Sequence, residues 1–412
     1  MRVGLQWTLS DDRVDVAQTN HQRQLAIAIS ALPTANGRTA PLNLCLILDR
    51  SGSMGSAPLQ TVKAAAHSIV DQLSAQDRLS IVTFDHKAEV LVNNQPVLNP
   101  RLIKQQIEGL KAGGGTAIDE GLKFGIEEIA KGKQDTISQI FLLTDGENEH
   151  GDNDRCLKLS QLAVDYGLTV STLGFGDHWN QDVIEKIADA GGGSLSYIQN
   201  PEDAISQFSR LFTRVQSVGL TNAYLRLTLT PHARLAELKP IAQVMPDTIE
   251  LDAQRSPEQA MVRLGDLMID TPRVVLANLY LSQLPEGLHP VASVQIQYDD
   301  PARGATALMS EHLMIEVTAQ TGYQPNPNPQ VQQYILALAK YRQTQIAETK
   351  LQAGDRKGAV TMLQSAAKTA IQMGDTQAAT VLQENVTQLQ SGGDLSERDR
   401  KKTRIVSKTT LQ

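Results

Sequence analysis

The sequence predicts an α/β fold: an open, mostly parallel sheet with helices on both faces, inserted in a β-sandwich domain and followed by a C-terminal helical region. Three observations predict it. The segment LNLCLILD is a nearly continuous apolar run, as a central parallel strand covered on both faces requires. Helical stretches alternate with further strand candidates as far as residue 216, giving a β-α-β-α order. On either side of that block, apolar residues alternate with period two, the sign of strands with one buried face.

The elements follow in order. In residues 3–32, Leu25, Ile27 and Ile29 alternate with Ala26, Ala28 and Ser30, which reads as a strand. Residues 32–41 are rich in Pro, Gly, Asn and Thr and read as a loop. After LNLCLILD come RLSIVTF, AEVLV, SQIFLLTD, LTVSTLGFG and the shorter SLSYI. Helices are expected at 58–74, 101–110, 117–131, 155–166, 181–190 and 202–216. RLSIVTF and AEVLV are too close for a helical crossover, so they form a hairpin with AEVLV as the antiparallel edge.

Residues 217–322 return to β character. Leu225, Leu227 and Leu229 alternate with Tyr224, Arg226 and Thr228, and VVLANLYL, VASVQIQY and HLMIEV are further strands. Together with residues 1–40 they predict one discontinuous β-sandwich around an inserted Rossmann-like domain at 41–216. Pro325, Pro327 and Pro329 punctuate a linker. Residues 323–390 read as three short helices, with Val331, Ile335 and Leu338 at helical spacing. Gly354-Asp355 and Gly374-Asp375 fit Gly ending one helix and Asp starting the next. The tail, 391–412, has six Arg or Lys against three acids and little apolar content, and is expected to be flexible.

Composition narrows the function. A chain of 412 residues has room for two to four domains at roughly 100–200 residues each. A net charge of -7 argues against nucleic acid as a partner. Cys45 and Cys156 are too few for a disulfide framework and lack metal-ligand spacing. The N-terminus has no signal-type apolar region and no run of about 18 apolar residues occurs, so no transmembrane segment is expected and the cytoplasm is the default location.

The segment LILDRSGSMG carries the chemistry. Asp49, Ser51 and Ser53 stand at i, i+2 and i+4, just past the carboxyl end of a buried strand, where open α/β sheets bind ligands. Thr116 follows a GGG turn before a helix, and Asp145 ends SQIFLLTD with Gly146 behind it. Two carboxylates and three hydroxyls make a set of hard oxygen donors. Such a set suits Mg²⁺, or Mn²⁺ or Ca²⁺, and not zinc or copper. With several neutral donors, the ion would keep positive charge and a position for water or an outside carboxylate.

Asp49-x-Ser51-x-Ser53, Thr116 and Asp145-Gly146 resemble the full metal-ion-dependent adhesion site of the von Willebrand factor type A family, over roughly residues 40–216. The resemblance implies direct contact of Ser51, Ser53 and Thr116 with the ion. It implies that Asp49 and Asp145 act through water or hydrogen bonds, and that a partner Asp or Glu completes the set. It also implies a possible shift of the last helix, near 202–216, between weak- and strong-binding states. The flanking β-domain is similar to the arrangement in several bacterial members and in the integrin β subunit. Met54, Gly115, Glu147, His178 and Trp179 are candidates for the partner-binding rim.

Plainer readings stand beside these. Asp-x-Ser-x-Ser alone is compatible with a capped turn. Asp119 and Glu120 read as first-turn acids favoured by the helix dipole. Residues 147–154, with Asn148 and His150 among them, read as a solvated loop or, alternatively, as a rim that sets partner choice, and His86 reads as a surface histidine. No general base, nucleophile elbow or phosphate loop appears, so the expectation is a metal-dependent scaffold for protein binding and not an enzyme. An adaptor for a separate ATPase is the alternative, with a metal-dependent hydrolase behind it. The tail, with Thr403, Ser407, Thr409 and Thr410 among basic residues, is a candidate docking peptide for a phosphothreonine-reading partner.

Overall fold

The computed structural model describes residues 2–33, 40–55, 57–176, 181–198, 201–269 and 271–408. Three strands, β1 (Val3–Leu9), β2 (Arg13–Asp15) and β3 (Asn20–Ala31), precede the α/β block. That block runs β4 (Leu42–Asp49), α1 (Ala57–Gln72), β5 (Arg78–Phe84), β6 (Ala88–Pro96), α2 (Pro100–Glu108), α3 (Ile118–Ala130), β7 (Ile137–Thr144), α4 (Asn153–Asp165), β8 (Thr169–Phe175), α5 (Gln181–Ala190), β9 (Gly192–Ile198) and α6 (Pro201–Gln216).

Its strands are ordered β6-β5-β4-β7-β8-β9. All pair in parallel except β5 with β6, which are antiparallel. β6, the AEVLV segment, is therefore the antiparallel edge. Every residue of β4 is buried because each face has its own helical cover. Leu44, Leu46 and Leu48 join a core with Val62, Ile69, Phe208 and Phe212 of α1 and α6. Cys45 and Ile47 point the other way, to Leu122 and Ile129 of α3. Burial pushes the Cys45 thiol up to about 12, so it stays protonated and packs as a small apolar group. α3 can approach the sheet this closely because it carries Gly121 and Gly125, where a Cβ would strike Phe84 and Ile47.

The chain continues through β10 (Val218–Leu229), β11 (Ala233–Leu235), β12 (Ile241–Met245), β13 (Ile249–Glu250), β14 (Ala253–Arg255), β15 (Gln259–Met268), β16 (Arg273–Ser282), β17 (Gly287–Asp300), β18 (Ala305–Met309) and β19 (Leu313–Gln320). These strands build two sheets with the N-terminal strands. One is ordered β1-β3-β16-β12-β13, with β11 also on β16; the other is β14-β15-β10-β17-β19-β2, with β18 on β17. β3 pairs antiparallel with β16, and β2 pairs parallel with β19. Ile27, Ile29 and Val275 of the first sheet share a core with Leu225, Leu227, Val294 and Ile296 of the second.

Four helices close the chain: α7 (Pro329–Gln352), α8 (Arg356–Met373), α9 (Thr376–Gln390) and α10 (Glu397–Lys408). Gly354 and Gly374 take positive φ at the ends of α7 and α8, and Asp355 and Asp375 cap the next helices by accepting from Gly358 N and Ala378 N. α7 lays Val331, Leu338 and Tyr341 on Val274 and Leu276 of β16.

The expectation of a flexible tail at 391–412 is corrected over 397–408, which form a docked helix. Lys401 is 1% exposed and Ser407 is fully buried. Lys340 of α7, also buried, donates to Asp375 Oδ2 at 2.7 Å and to the Val406 carbonyl at 2.8 Å. Arg404 pairs with Glu185 at 2.9 Å and Glu348 at 2.6 Å; Lys408 pairs with Glu185 at 2.6 Å. The basic charge that reads as solvated in sequence is met here by carboxylates from α5 and α7. Thr403, offered as a phosphorylation candidate, is buried and accepts from Asn385 Nδ2. Thr409 and Thr410 lie outside the described residues. Among those described, no helix is long and apolar enough to cross a membrane.

Candidate metal site

Asp49 ends β4, fully buried, and the chain then turns through Gly52–Met54 into α1. Its Oδ1 accepts the Ser51 backbone N–H at 2.7 Å, and its Oδ2 accepts the Thr144 hydroxyl at 2.5 Å. The Ser51 and Ser53 hydroxyl oxygens lie 3.0 Å apart, and Ser53 Oγ donates to Asp145 Oδ1 at 2.7 Å. Thr116 reaches the same place: a Cβ on Gly146 would lie 3.3 Å from Thr116 Oγ1 and 3.6 Å from Ser53 Oγ. Backbone bonds fix the three loops together. Gly52 N donates to Gly114 O at 2.9 Å, and Gly113 N to Arg50 O at 2.8 Å. His150 N donates to Thr116 O at 2.9 Å. The five side chains expected to meet are thus drawn into one cluster. Asp49, Ser51, Thr116 and Asp145 form its buried floor, and Ser53 is exposed at its lip.

Residues 43–210 match the model of the von Willebrand factor type A domain, and residues 329–412 match that of the Sll0103-like, C-terminal alpha-helical domain. The uncharacterized protein sll0103 of Synechocystis is 61% identical over 412 residues, covering 100% of this chain and 98% of that protein. This chain belongs to the Sll0103-like family of von Willebrand factor type A (VWA) domain proteins. The uncharacterized protein YfbK of Escherichia coli is 29% identical over 46% of this chain, which spans 34% of that relative. The bovine inter-alpha-trypsin inhibitor heavy chain H4 is 26% identical over 45% of this chain and 21% of its own length. A solved structure, von Willebrand factor type A from Catenulispora acidiphila, superimposes over 100% of this chain and 98% of its own with a TM-score of 0.83 at 19% identity, a likeness of fold. The ArnB paralog VWA2 from Sulfolobus acidocaldarius does so over 99% and 98% with a TM-score of 0.60 at 14% identity.

The VWA domain's cluster suits a hard cation. Burial, above all, pushes Asp49 up from 3.8 to about 6; bonds from Thr144 and Ser51 oppose this, and the Asp145 charge adds to it. Two carboxylates thus share a desolvated pocket, and the neighbouring cation, Arg50, is bound elsewhere, to Asp85 at 3.0 Å and Glu89 at 3.4 Å. Among the described residues no group of three or more His, Cys, Asp or Glu side chains has metal-holding geometry. An ion held here would depend on the three hydroxyls as well as the two carboxylates, which an oxygen-seeking ion allows and a zinc site does not.

The rim of the VWA site differs from expectation in part. Met54 is corrected: it is fully buried in the core with Leu59 and Val62, because its apolar side chain anchors the loop from beneath. Gly115 is half-buried and Glu147 exposed beside Asp145. His178 and Trp179 lie outside the described residues. Asp119 and Glu120 are held by Arg155 at 2.7 and 2.6 Å and point away from a ligand role.

Three contributors had no bonding role assigned from sequence. Thr144 fixes the Asp49 carboxylate; its adjacency to Asp145 was the available signal. Asn148 Oδ1 accepts from Ile118 N at 2.7 Å, capping α3 from another loop, since Ala117 at the N-cap offers no side-chain bond. The missing cap was legible; the acceptor that replaces it was not. His150 packs its ring where a Cβ on Gly115 would sit, with Nδ1 3.4 Å from Thr116 N.

Proposed function

We propose that this protein is a metal-dependent protein-binding scaffold. Asp49, Ser51, Ser53, Thr116 and Asp145 hold one divalent cation, Mg²⁺ or failing that Mn²⁺ or Ca²⁺, at the carboxyl end of the VWA sheet. The ion supplies residual positive charge at an open position, where it takes an Asp or Glu side chain offered by a protein partner. The chain's own residues do the rest. Asp49 and Asp145 balance the charge, the hydroxyls leave the ion underneutralised, and Gly115, His150 and Glu147 border the approach.

The observation that carries this reading is the convergence of three loops, with Ser53 bonded to Asp145 and Thr116 facing the same glycine. That the family's domain is present over residues 43–210 supports it. The test is capture of partners from cells that make the protein, in Mg²⁺ and in EDTA, with the wild type and with Asp49→Ala. Partners should be released by EDTA and missed by the variant. Partners that survive both changes would refute metal-mediated capture.

A further inference from the structure

Away from the metal cluster, a cavity of about 1040 Å³ opens between the VWA domain, the β sheets and α10. Its size is at the upper end of small-molecule sites. Two of its walls differ in charge balance. On the α5 side, Glu185 and Asp189 are answered by Arg404 and Lys408. The rest of the lining carries Arg210 and Arg214 of α6, Arg263 of β15 and Arg273 of β16 with the carboxylates Asp165, Asp247, Glu250 and Asp252, of which Glu250 is taken by Arg342 at 2.7 Å; Asp266 adjoins Arg214 and Arg273 in a neighbouring small pocket.

Asp266 and Asp247 answer these arginines in part by charge, but few of their hydrogen bonds run to them. Asp247 accepts from Arg214 at 3.2 Å. The Asp266 side chain accepts from Gln139 at 2.5 Å and Thr169 at 2.9 Å, neither of them charged. Arg273 is 8% exposed; it donates to Gln243 and to the Asp266 backbone carbonyl, and its Nε has no hydrogen-bond partner among the described residues. Arg263 Nε is also buried without one. Burial, then the nearby Arg214 charge, brings Arg273 down to about 10, still cationic at neutral pH.

The backbone makes room for this wall. Gly192 and Gly265 both take positive φ, and a Cβ on Gly192 would collide with the Arg263 guanidinium. Ser194, Ser196 and Tyr224 line the same space and bring hydroxyl groups to it.

We infer that this wall binds a small phosphate-bearing anion. A single carboxylate is satisfied by one bidentate arginine, whereas guanidiniums from three separate elements lining one cavity match a multiply charged tetrahedral group. The site lies outside the metal cluster and does not depend on it.

The test is calorimetric titration of the full chain in EDTA with inorganic phosphate, pyrophosphate, a nucleoside monophosphate and an Asp/Glu-rich peptide. Saturable binding of at least one phosphate species is expected. Preference for the nucleotide over inorganic phosphate would assign an esterified ligand, and the reverse a free ion. Arg263→Gln should weaken binding about tenfold or more, the loss of a charged hydrogen-bonding partner. If that variant melts early, Arg210→Gln, at an exposed position, should still weaken it measurably. No saturable phosphate binding, binding unchanged by both variants, or binding of the peptide alone would overturn the proposal. Metal uptake should be unaltered by either variant, so this result and the test of the adhesive role stand apart.

Discussion

Ser53 Oγ donates to Asp145 Oδ1 at 2.7 Å across 92 residues of sequence. That bond joins the loop after β4 to the loop after β7, strands that are neighbours in the sheet. The hydroxyl and the carboxylate are thereby held side by side at the candidate metal site. Replacing the Ser53 hydroxyl should therefore reach the ion as well as the loop. Ser53→Ala should lower Mn²⁺ affinity by about tenfold or more, with little change in melting of the metal-free protein. Calorimetry and thermal melts check both halves.

Thr144 tests the layer behind the five proposed ligands. Its hydroxyl holds Asp49 Oδ2 at 2.5 Å without belonging to the five. Thr144→Val keeps the shape and removes that bond. Metal affinity should fall about 10–100-fold, the usual effect of losing an orienting partner. An unchanged affinity would mean that Asp49 needs no such support.

The buried Asp49 gives a pH signature. In the metal-free protein its carboxyl rises from 3.8 to about 6, chiefly through burial. A raised acid favours the fold when neutral. Its contribution is fully present below the unfolded value near 3.8 and is lost as pH climbs through about 6. A cation favours the ionised form. The gain in Tm from Mg²⁺ should therefore be small near about pH 5 and larger near about pH 7. Equal gains at both would contradict this origin.

Gly125 sets how closely α3 lies on β4. A Cβ there would run into Ile47 and sit 3.5 Å from Cys45 Sγ. Gly125→Val should destabilise by about 1–3 kcal/mol through overpacking, despite the better helix propensity of valine. Denaturant melts measure it.

The C-terminal helix is held by charge. Arg404 pairs with Glu185 of α5 and Glu348 of α7, all largely buried. Arg404→Ala leaves both carboxylates without that partner and should weaken docking of α10 by about 3 kcal/mol. Faster amide exchange confined to 397–408 would report it. Exchange unchanged there would place the docking energy elsewhere, in Lys340 and Lys401.

The α/β block was legible because its signals are local. β4 reads as apolar throughout, and its carboxyl end carries Asp49, Ser51 and Ser53 in one short string. Thr116 and Asp145 were recoverable because each sits at a strand or helix boundary. What escaped is non-local. Nothing near Lys401 or Arg404 says that Glu185 and Glu348 will neutralise the tail, so its charge looked solvated. Met54 looked like a rim residue because it neighbours Ser53 in sequence, yet its side chain turns beneath the loop. Arg263 and Arg273 drew no attention as isolated charges in strands; their meaning comes only when α6 folds beside them.

The proposed adhesion rests on five oxygen-bearing side chains binding one divalent ion. Titration of Mn²⁺ into the apo protein, beside Ser53→Ala and Asp145→Ala, tests it most directly. One ion per chain is expected for the wild type, with a large loss of affinity in each variant. No Mn²⁺ uptake, or uptake that both variants leave intact, would contradict it.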